Sequence, residues 1–357
     1  MSLELTPFTP LKLLRHSDRV EAMLRGDVVY PVSVELDLSN ICNHGCPWCS
    51  FNGFRQENWQ SFDTPRILSL LDELAAVGVK SLTFTGGGEP LVHKQAEQIL
   101  TKASQSFEWG VVTNGRRMEG NLASLIAAHA RFVRVSLDAG TTQTHQMLHA
   151  TAMPEYARIL KNMAQVVATA KDRGTALTVG ASFCVFDVNL DEIERAAERV
   201  KATGANYLEV RPVFPTEWRG GGFGNPLRGE HVEAARAALD AAKARFDGDG
   251  FRVIGMIERF EQVANKRKAY DACRIGPLTT VINADGNIYH CCIQRGMPAF
   301  VAGSVLDKPF KDVWMAAQHR QMIDAIDIHA CPPCRYDGYN QLIADAFLGD
   351  AMHKEFL

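Results

Sequence analysis

Val32-Ser-Val-Glu-Leu-Asp-Leu-Ser-Asn-Ile-Cys42-Asn-His-Gly-Cys46-Pro-Trp-Cys49 is the stretch on which the reading of this chain turns. Val32–Leu38 alternates apolar and polar residues and reads as a β-strand, with the three cysteines in the loop at its C-terminal end. Three thiolates at spacings of four and three residues can wrap one corner of a four-iron cubane and leave one iron open. An open iron can take the amino and carboxylate groups of a small molecule as a bidentate ligand. A CxxC pair alone would equally suit zinc or a redox site. Zinc needs a fourth ligand, and His44 lies between the cysteines, where the loop is expected to turn it elsewhere.

Working outward, strand-like and helix-like segments alternate. Further strands are expected at Val79–Thr85, Gly110–Thr113, Phe132–Leu137, Ala176–Phe186 and Tyr207–Phe214. Helices are expected at Asp63–Val77, Val92–Ala103, Asn121–Ala130, Pro154–Arg173, Leu190–Thr203 and Glu230–Phe246. The first has a capping Asp63, Pro65 in its first turn and Gly78 as its stop. Strict alternation argues an α/β fold with a parallel sheet covered by helices. Six such units suit an open barrel or a doubly wound sheet, and spacing does not choose between them. From about Arg259 the alternation stops. Leu278–Asn283 and Asn287–Cys292 flank Asp285–Gly286, a hairpin turn, and a helix at Phe310–Ile323 precedes Cys331-Pro-Pro-Cys334. The expected domains are an N-terminal arm (1–30), a core (31–216), a Gly-rich loop with the last helix and a linker (217–258), a cysteine module (259–345) and a tail (346–357).

Composition narrows the function. With 38 basic and 41 acidic residues the net charge is −3, which disfavours a nucleic-acid partner. No apolar run approaches the ~20 residues of a membrane span, and MSLELTPFTP lacks the layout of a signal peptide. A cytoplasmic location is expected. Nine cysteines there are not disulfide partners. Seven fall into metal-ligating groups: Cys42, Cys46 and Cys49, then Cys273, Cys291, Cys331 and Cys334. Cys184 and Cys292 are left over, and Cys292 could replace its neighbour Cys291.

The Cys-x3-Cys-x2-Cys spacing, with aromatic Trp48 before the last cysteine, resembles the radical S-adenosylmethionine (SAM) superfamily. Thr85-Gly86-Gly87-Gly88-Glu89-Pro90 ends the second strand, where that family places a segment lining SAM's amino group. The resemblance implies a partial (β/α)6 barrel and a 4Fe–4S cluster whose open iron binds SAM. It implies SAM contacts from Trp48, Gly87, Gly88, Glu89, Asn114, Ser136 and Asp138. It also implies an external electron donor such as flavodoxin or ferredoxin, and a radical that takes hydrogen from an unactivated C–H bond. The later cysteines resemble the SPASM/twitch auxiliary modules, in the short twitch form with a second, four-cysteine 4Fe–4S cluster. Structural zinc is the alternative for those four cysteines.

A saturated cluster suits electron uptake from a substrate radical. The leading expectation is therefore a polar small-molecule substrate, a sugar, an aminocyclitol or a nucleoside-like compound, undergoing dehydrogenation as in 2-deoxy-scyllo-inosamine dehydrogenases. The alternatives are an epimerase with a cysteine hydrogen donor (Cys184 or Cys292), a sugar-acid decarboxylase, or a maturase of ribosomal peptides. The 41 residues before Cys42 are taken as too few for a leader-binding domain. Arg211, at the end of the sixth strand, is expected to bind a carboxylate or phosphate, with Glu209 as its partner or a base. Trp218 and Arg219 are expected in a loop closing over substrate.

Overall fold

The computed structural model describes residues 9–213, 230–255, 268–331 and 334–348. Trp218, Arg219 and the Gly-rich stretch lie outside the described residues. The six expected strands are present as β1 (Ser33–Asp37), β2 (Ser81–Thr85), β3 (Glu108–Thr113), β4 (Phe132–Ser136), β5 (Thr178–Val185) and β6 (Tyr207–Pro212), paired in parallel in chain order. A seventh parallel strand, β7 (Arg252–Gly255), extends the barrel beyond β6. Four residues beside the Gly248–Gly250 turn are too few to show a periodicity, which is why the sequence reading places a linker there.

The helices are α1 (Ser17–Leu24), α2 (Asn52–Glu57), α3 (Thr64–Ala76), α4 (Ala96–Ala103), α5 (Gly120–His129), α6 (Thr142–His149), α7 (Glu155–Arg173), α8 (Ile193–Ala202) and α9 (Glu230–Phe246). In α3 the Asp63 carboxylate accepts from Arg66 N at 3.2 Å, and Ile67, Leu70, Leu71 and Leu74 form its buried face. These side chains meet the outer face of the sheet, where Leu36, Phe84, Val111, Val133, Val135 and Leu208 are fully buried. Each such burial stabilises the fold by about 1.5–3 kcal/mol.

The inner face is polar. Strand side chains alternate between faces, and register places Glu35 and Asp37 beside Thr83 and Thr85. On the far side it places Arg134 and Ser136 beside Gly180 and Ser182, and Ser182 and Cys184 beside Glu209 and Arg211. The barrel therefore has an apolar jacket and a charged lumen.

The cysteine module continues this sheet. β8 (Thr279–Ile282) pairs in parallel with β1, and β9 (Asn287–Tyr289) and β10 (Val301–Ser304) add antiparallel strands outside it. The order is β10-β9-β8-β1-β2-β3-β4-β5-β6-β7. The hairpin lies where expected, with Gly286 in the left-handed conformation (φ 80°) that its turn requires. The helix expected at Phe310–Ile323 is two, Phe310–Trp314 and Ala317–Asp324, broken where Ala316 is extended. The Trp314 carbonyl bonds His319 Nδ1 at 2.8 Å across the break. The N-terminal arm buttresses the module: Leu13 and Val20 pack with Ile275, Leu278 and Ile343.

Candidate active site: two cysteine groups and a polar lumen

The first cysteine loop leaves the C-terminal end of β1 and coils tightly. Cys49 N donates to the Cys46 carbonyl at 3.2 Å, and His44 N donates to Cys42 Sγ at 3.4 Å. All three cysteines are half-buried and none is in a disulfide. Burial, with Glu89 nearby, pushes the Cys42 thiol up to about 12, so a soft metal is needed to displace its proton at neutral pH. Trp48 Nε1 donates to the Leu148 carbonyl at 2.7 Å, and the indole packs edge-on to Phe186 with ring centres 5.3 Å apart.

Three histidines surround this loop. His145 and His149 stack at 4.4 Å on α6, and His44 meets both edge-on. Contrary to the sequence reading, His44 is not turned away from the cysteines. Ligand atoms of His44, Cys46 and His149 lie within 4.8 Å of one another. Cys46 Sγ is 3.3 Å from His149 Nδ1, while His149 Nε2 faces the Leu137 carbonyl at 3.2 Å and Asp138 Oδ2 at 3.4 Å. Burial opposes a charged ring at His149, but Cys46 and Asp138 overcome it and push the group up to about 10. Burial, with the other histidines adding to it, pushes His44 down to about 2. A helix of mostly polar sequence conceals the pair at positions 145 and 149, four residues apart on one face; that spacing is the signal that finds it.

The glycines of Gly86–Glu89 press against the backbone of the cysteine loop. Gly88 N donates to the Ser39 carbonyl and Glu89 N to the Ile41 carbonyl. A Cβ on Gly88 would stand 2.2 Å from the Ile41 oxygen, and one on Gly87 would stand 2.4 Å from Asn40 Oδ1. Glu89 is buried, and its carboxylate accepts from Leu91 N at 3.1 Å, Thr113 Oγ1 at 2.6 Å and Asn114 N at 2.7 Å. A carboxylate offers about four acceptor positions, so one is left for a ligand ammonium. Burial pushes Glu89 up to about 7 against the pull of those hydrogen bonds. Asn114 Nδ2 donates to Asn43 Oδ1 at 2.7 Å, tying the end of β3 to the cysteine loop.

Across the lumen, Asp138 is fully buried with φ 54°, an uncommon conformation for a non-glycine residue. Its Oδ1 accepts from Cys184 N at 2.7 Å, and Asn189 Nδ2 bridges the Asp138 and Cys184 carbonyls. Among the described residues Ser182 Oγ is buried without a hydrogen-bond partner and Asp138 Oδ2 faces His149 Nε2 at 3.4 Å, a polar cradle suited to a ligand's hydroxyl or amine. Cys184 lies between Asp138 and Arg211, and burial pushes its thiol up to about 12. Ser136 stands beside Ser182 on the same face. Glu209 Oε2 makes an ion pair with Arg134 Nη1 at 3.2 Å across two strands, and its charge also acts on Arg211.

The second group gathers residues far apart in sequence. Burial raises the thiols of Cys273, Cys291, Cys331 and Cys334, and electrostatic interactions link Cys273 to the other three. Gln294 sits between two of them, 3.5 Å from Cys291 Sγ and 4.0 Å from Cys331 Sγ. His290 Nε2 is 3.4 Å from Cys273 Sγ. Cys292, next to Cys291, acts electrostatically on Tyr336.

Residues 36–200 match the radical SAM superfamily. Residues 273–336 match SPASM, an iron-sulfur cluster-binding domain. The chain carries a radical SAM domain and a SPASM domain. Its cofactors are SAM, the 4Fe–4S cluster of the radical SAM domain and auxiliary iron–sulfur in the SPASM domain. The first domain's cysteine loop and the four gathered cysteines of the second fit them as donor sets. The radical SAM–SPASM chain is similar to the PqqA peptide cyclase of Granulibacter bethesdensis, 24% identical over 85% of this chain and 79% of the relative. The Sporulation killing factor maturation protein SkfB of Bacillus subtilis is 22% identical over 83% of this chain and 68% of the relative. Among solved structures, Streptococcus suis SuiB bound to precursor peptide SuiA superposes with a TM-score of 0.68 at 14% identity, covering 91% of this chain and 74% of SuiB. That last likeness is one of fold. Among the described residues no helix is long and apolar enough to cross a membrane.

Proposed function

We propose that this radical SAM–SPASM chain modifies a peptide. The observation that carries this reading is the alignment with PqqA peptide cyclase, which runs through both domains and 85% of the chain. SkfB, a maturation protein, supports it over a comparable length. The relatives thus favour the peptide alternative over a sugar or aminocyclitol substrate. When bound, SAM and the two clusters supply a carbon-centred radical that takes hydrogen from an unactivated C–H bond, and a sink for the substrate's electron.

The chain's residues divide the remaining work. Cys42, Cys46 and Cys49 hold three irons of the first cluster and leave the fourth for SAM. Trp48 would flank the adenine, Gly87, Gly88 and Glu89 would receive the amino end, and Asn114, Ser136 and Asp138 would complete the SAM contacts. Cys273, Cys291, Cys331 and Cys334 hold the second cluster. Arg211, at the carboxyl end of β6, takes a carboxylate of the peptide, and Glu209 holds Arg134 beside it. Cys184 stands in register with Arg211 on the same lumen face, where it would line the substrate side without taking part in the loss of hydrogen. Flavodoxin or ferredoxin in the cytoplasm supplies the electron.

The test is anaerobic incubation of reconstituted protein with SAM, reductant and a panel of precursor peptides beside a panel of sugars and aminocyclitols. Mass spectrometry should show a peptide lacking two hydrogens, with methionine and 5′-deoxyadenosine formed alongside. Oxidation of a cyclitol with every peptide untouched would sink the reading.

A further inference from the structure

A buried polar chain runs from the first cysteine loop to the second. Asn40, two residues before Cys42, exchanges side-chain hydrogen bonds with Asn283 at the β8–β9 turn. Asn40 Nδ2 donates to Asn283 Oδ1 at 3.0 Å, and Asn283 Nδ2 donates to Asn40 Oδ1 at 3.1 Å. Asn283 Nδ2 also donates to Asp37 Oδ2 at 2.7 Å. Asp37 pairs with Arg295 through Nε at 2.5 Å and Nη2 at 3.1 Å, and the same Nη2 reaches Glu35 Oε2 at 3.3 Å. The other Glu35 oxygen pairs with Arg335, the residue after Cys334.

Every member but Arg335 is buried. Phe51, two residues after Cys49, lies with its ring centre 4.7 Å from the Arg295 guanidinium carbon. At the far end Arg295 follows Gln294, which sits between Cys291 and Cys331. Both ends therefore grip the backbone beside cysteines. A buried ion network adds little stability over apolar packing of the same volume, yet removal of one partner leaves a buried charge unpaired. Such a network holds one geometry and penalises any other. Backbone pairing of β1 with β8 sets the strands together, and these side chains add a second tie between β1 and the segments at residues 291–295 and 334–335.

We propose that the chain Asn40–Asn283–Asp37–Arg295–Glu35–Arg335 is the positioning element that fixes the auxiliary cluster relative to the SAM-cleaving one. This rests on the assignment of both cysteine groups as iron–sulfur sites. The six residues act through the two loops.

Pulsed dipolar EPR on the fully reduced holoprotein reads the distance between the two paramagnetic clusters. Wild type should give one narrow distribution. Arg295→Met should keep the wild-type iron content, broaden that distribution about twofold and raise amide exchange across residues 279–289 about tenfold. Should Arg295→Met fail to fold or lose iron, Asn283→Ala, which removes only the neutral link, should broaden the distribution in the same way. An unchanged distribution in the variant that retains both clusters overturns the proposal. Wild type showing a single cluster by iron content and EPR would instead overturn the assignment on which it rests.

Discussion

Cys42, Cys46 and Cys49 come from residues 42–49 of one loop, whereas Cys273, Cys291, Cys331 and Cys334 are gathered from residues 273–334. Each group has a histidine beside one sulfur, at 3.3 Å for His149 on Cys46 and 3.4 Å for His290 on Cys273. The two histidines differ in what lies behind them. His149 is backed by Asp138, which favours the charged ring. Burial pushes His290 down to about 4, with His319 adding to it. A loop of local sequence thus draws its polar support from a distant helix, and a group assembled from distant segments carries a neutral neighbour. The first setting suits a site that handles charged ligands, the second a site that passes electrons.

Deleting a ligand from each group is the severest break of this comparison. Cys42→Ala should abolish SAM cleavage and reduce iron from about eight to about four per chain. Cys334→Ala should lose about the same iron yet still form 5′-deoxyadenosine, with peptide product lost. Iron and sulfide assays with chromatography of the nucleoside check both. Equal loss of SAM cleavage in the two variants would erase the division of labour.

A smaller effect is expected at the glycine contact that shapes only the first group. Gly88→Ala forces the loop at Ile41 to shift, and should remove about 3 kcal/mol of unfolding free energy, measured by denaturant titration. The histidine contrast is sharper in sign than in size. His149→Leu should lower the first cluster's reduction potential, because a donor facing the sulfur favours the more negative, reduced cluster. His290→Leu should move the second cluster's potential less. Spectroelectrochemistry decides, and equal shifts would contradict the difference in backing groups. The smallest change is expected for Cys292→Ala, which should leave iron content intact and stability within about 0.5 kcal/mol of wild type. Loss of the auxiliary cluster there would make Cys292 a ligand in place of Cys291.

What the sequence determined by itself is what local spacing encodes. The three cysteines, the glycine run one βα unit later and the alternation of short apolar strands with capped helices were legible because each is set by neighbours along the chain. Helix α3 and the Asp285–Gly286 turn are examples: a cap, a stop and a left-handed glycine suffice. Tertiary structure alone decided that β8 lies against β1, that His44 and His149 meet Cys46, and that Glu209 pairs with Arg134. It also decided that Asp37 meets Arg295 across 258 positions of sequence. Those pairings depend on which strand edges close on one another. A charged residue's identity says that it needs a partner when buried, but only the closed sheet says which partner is within reach.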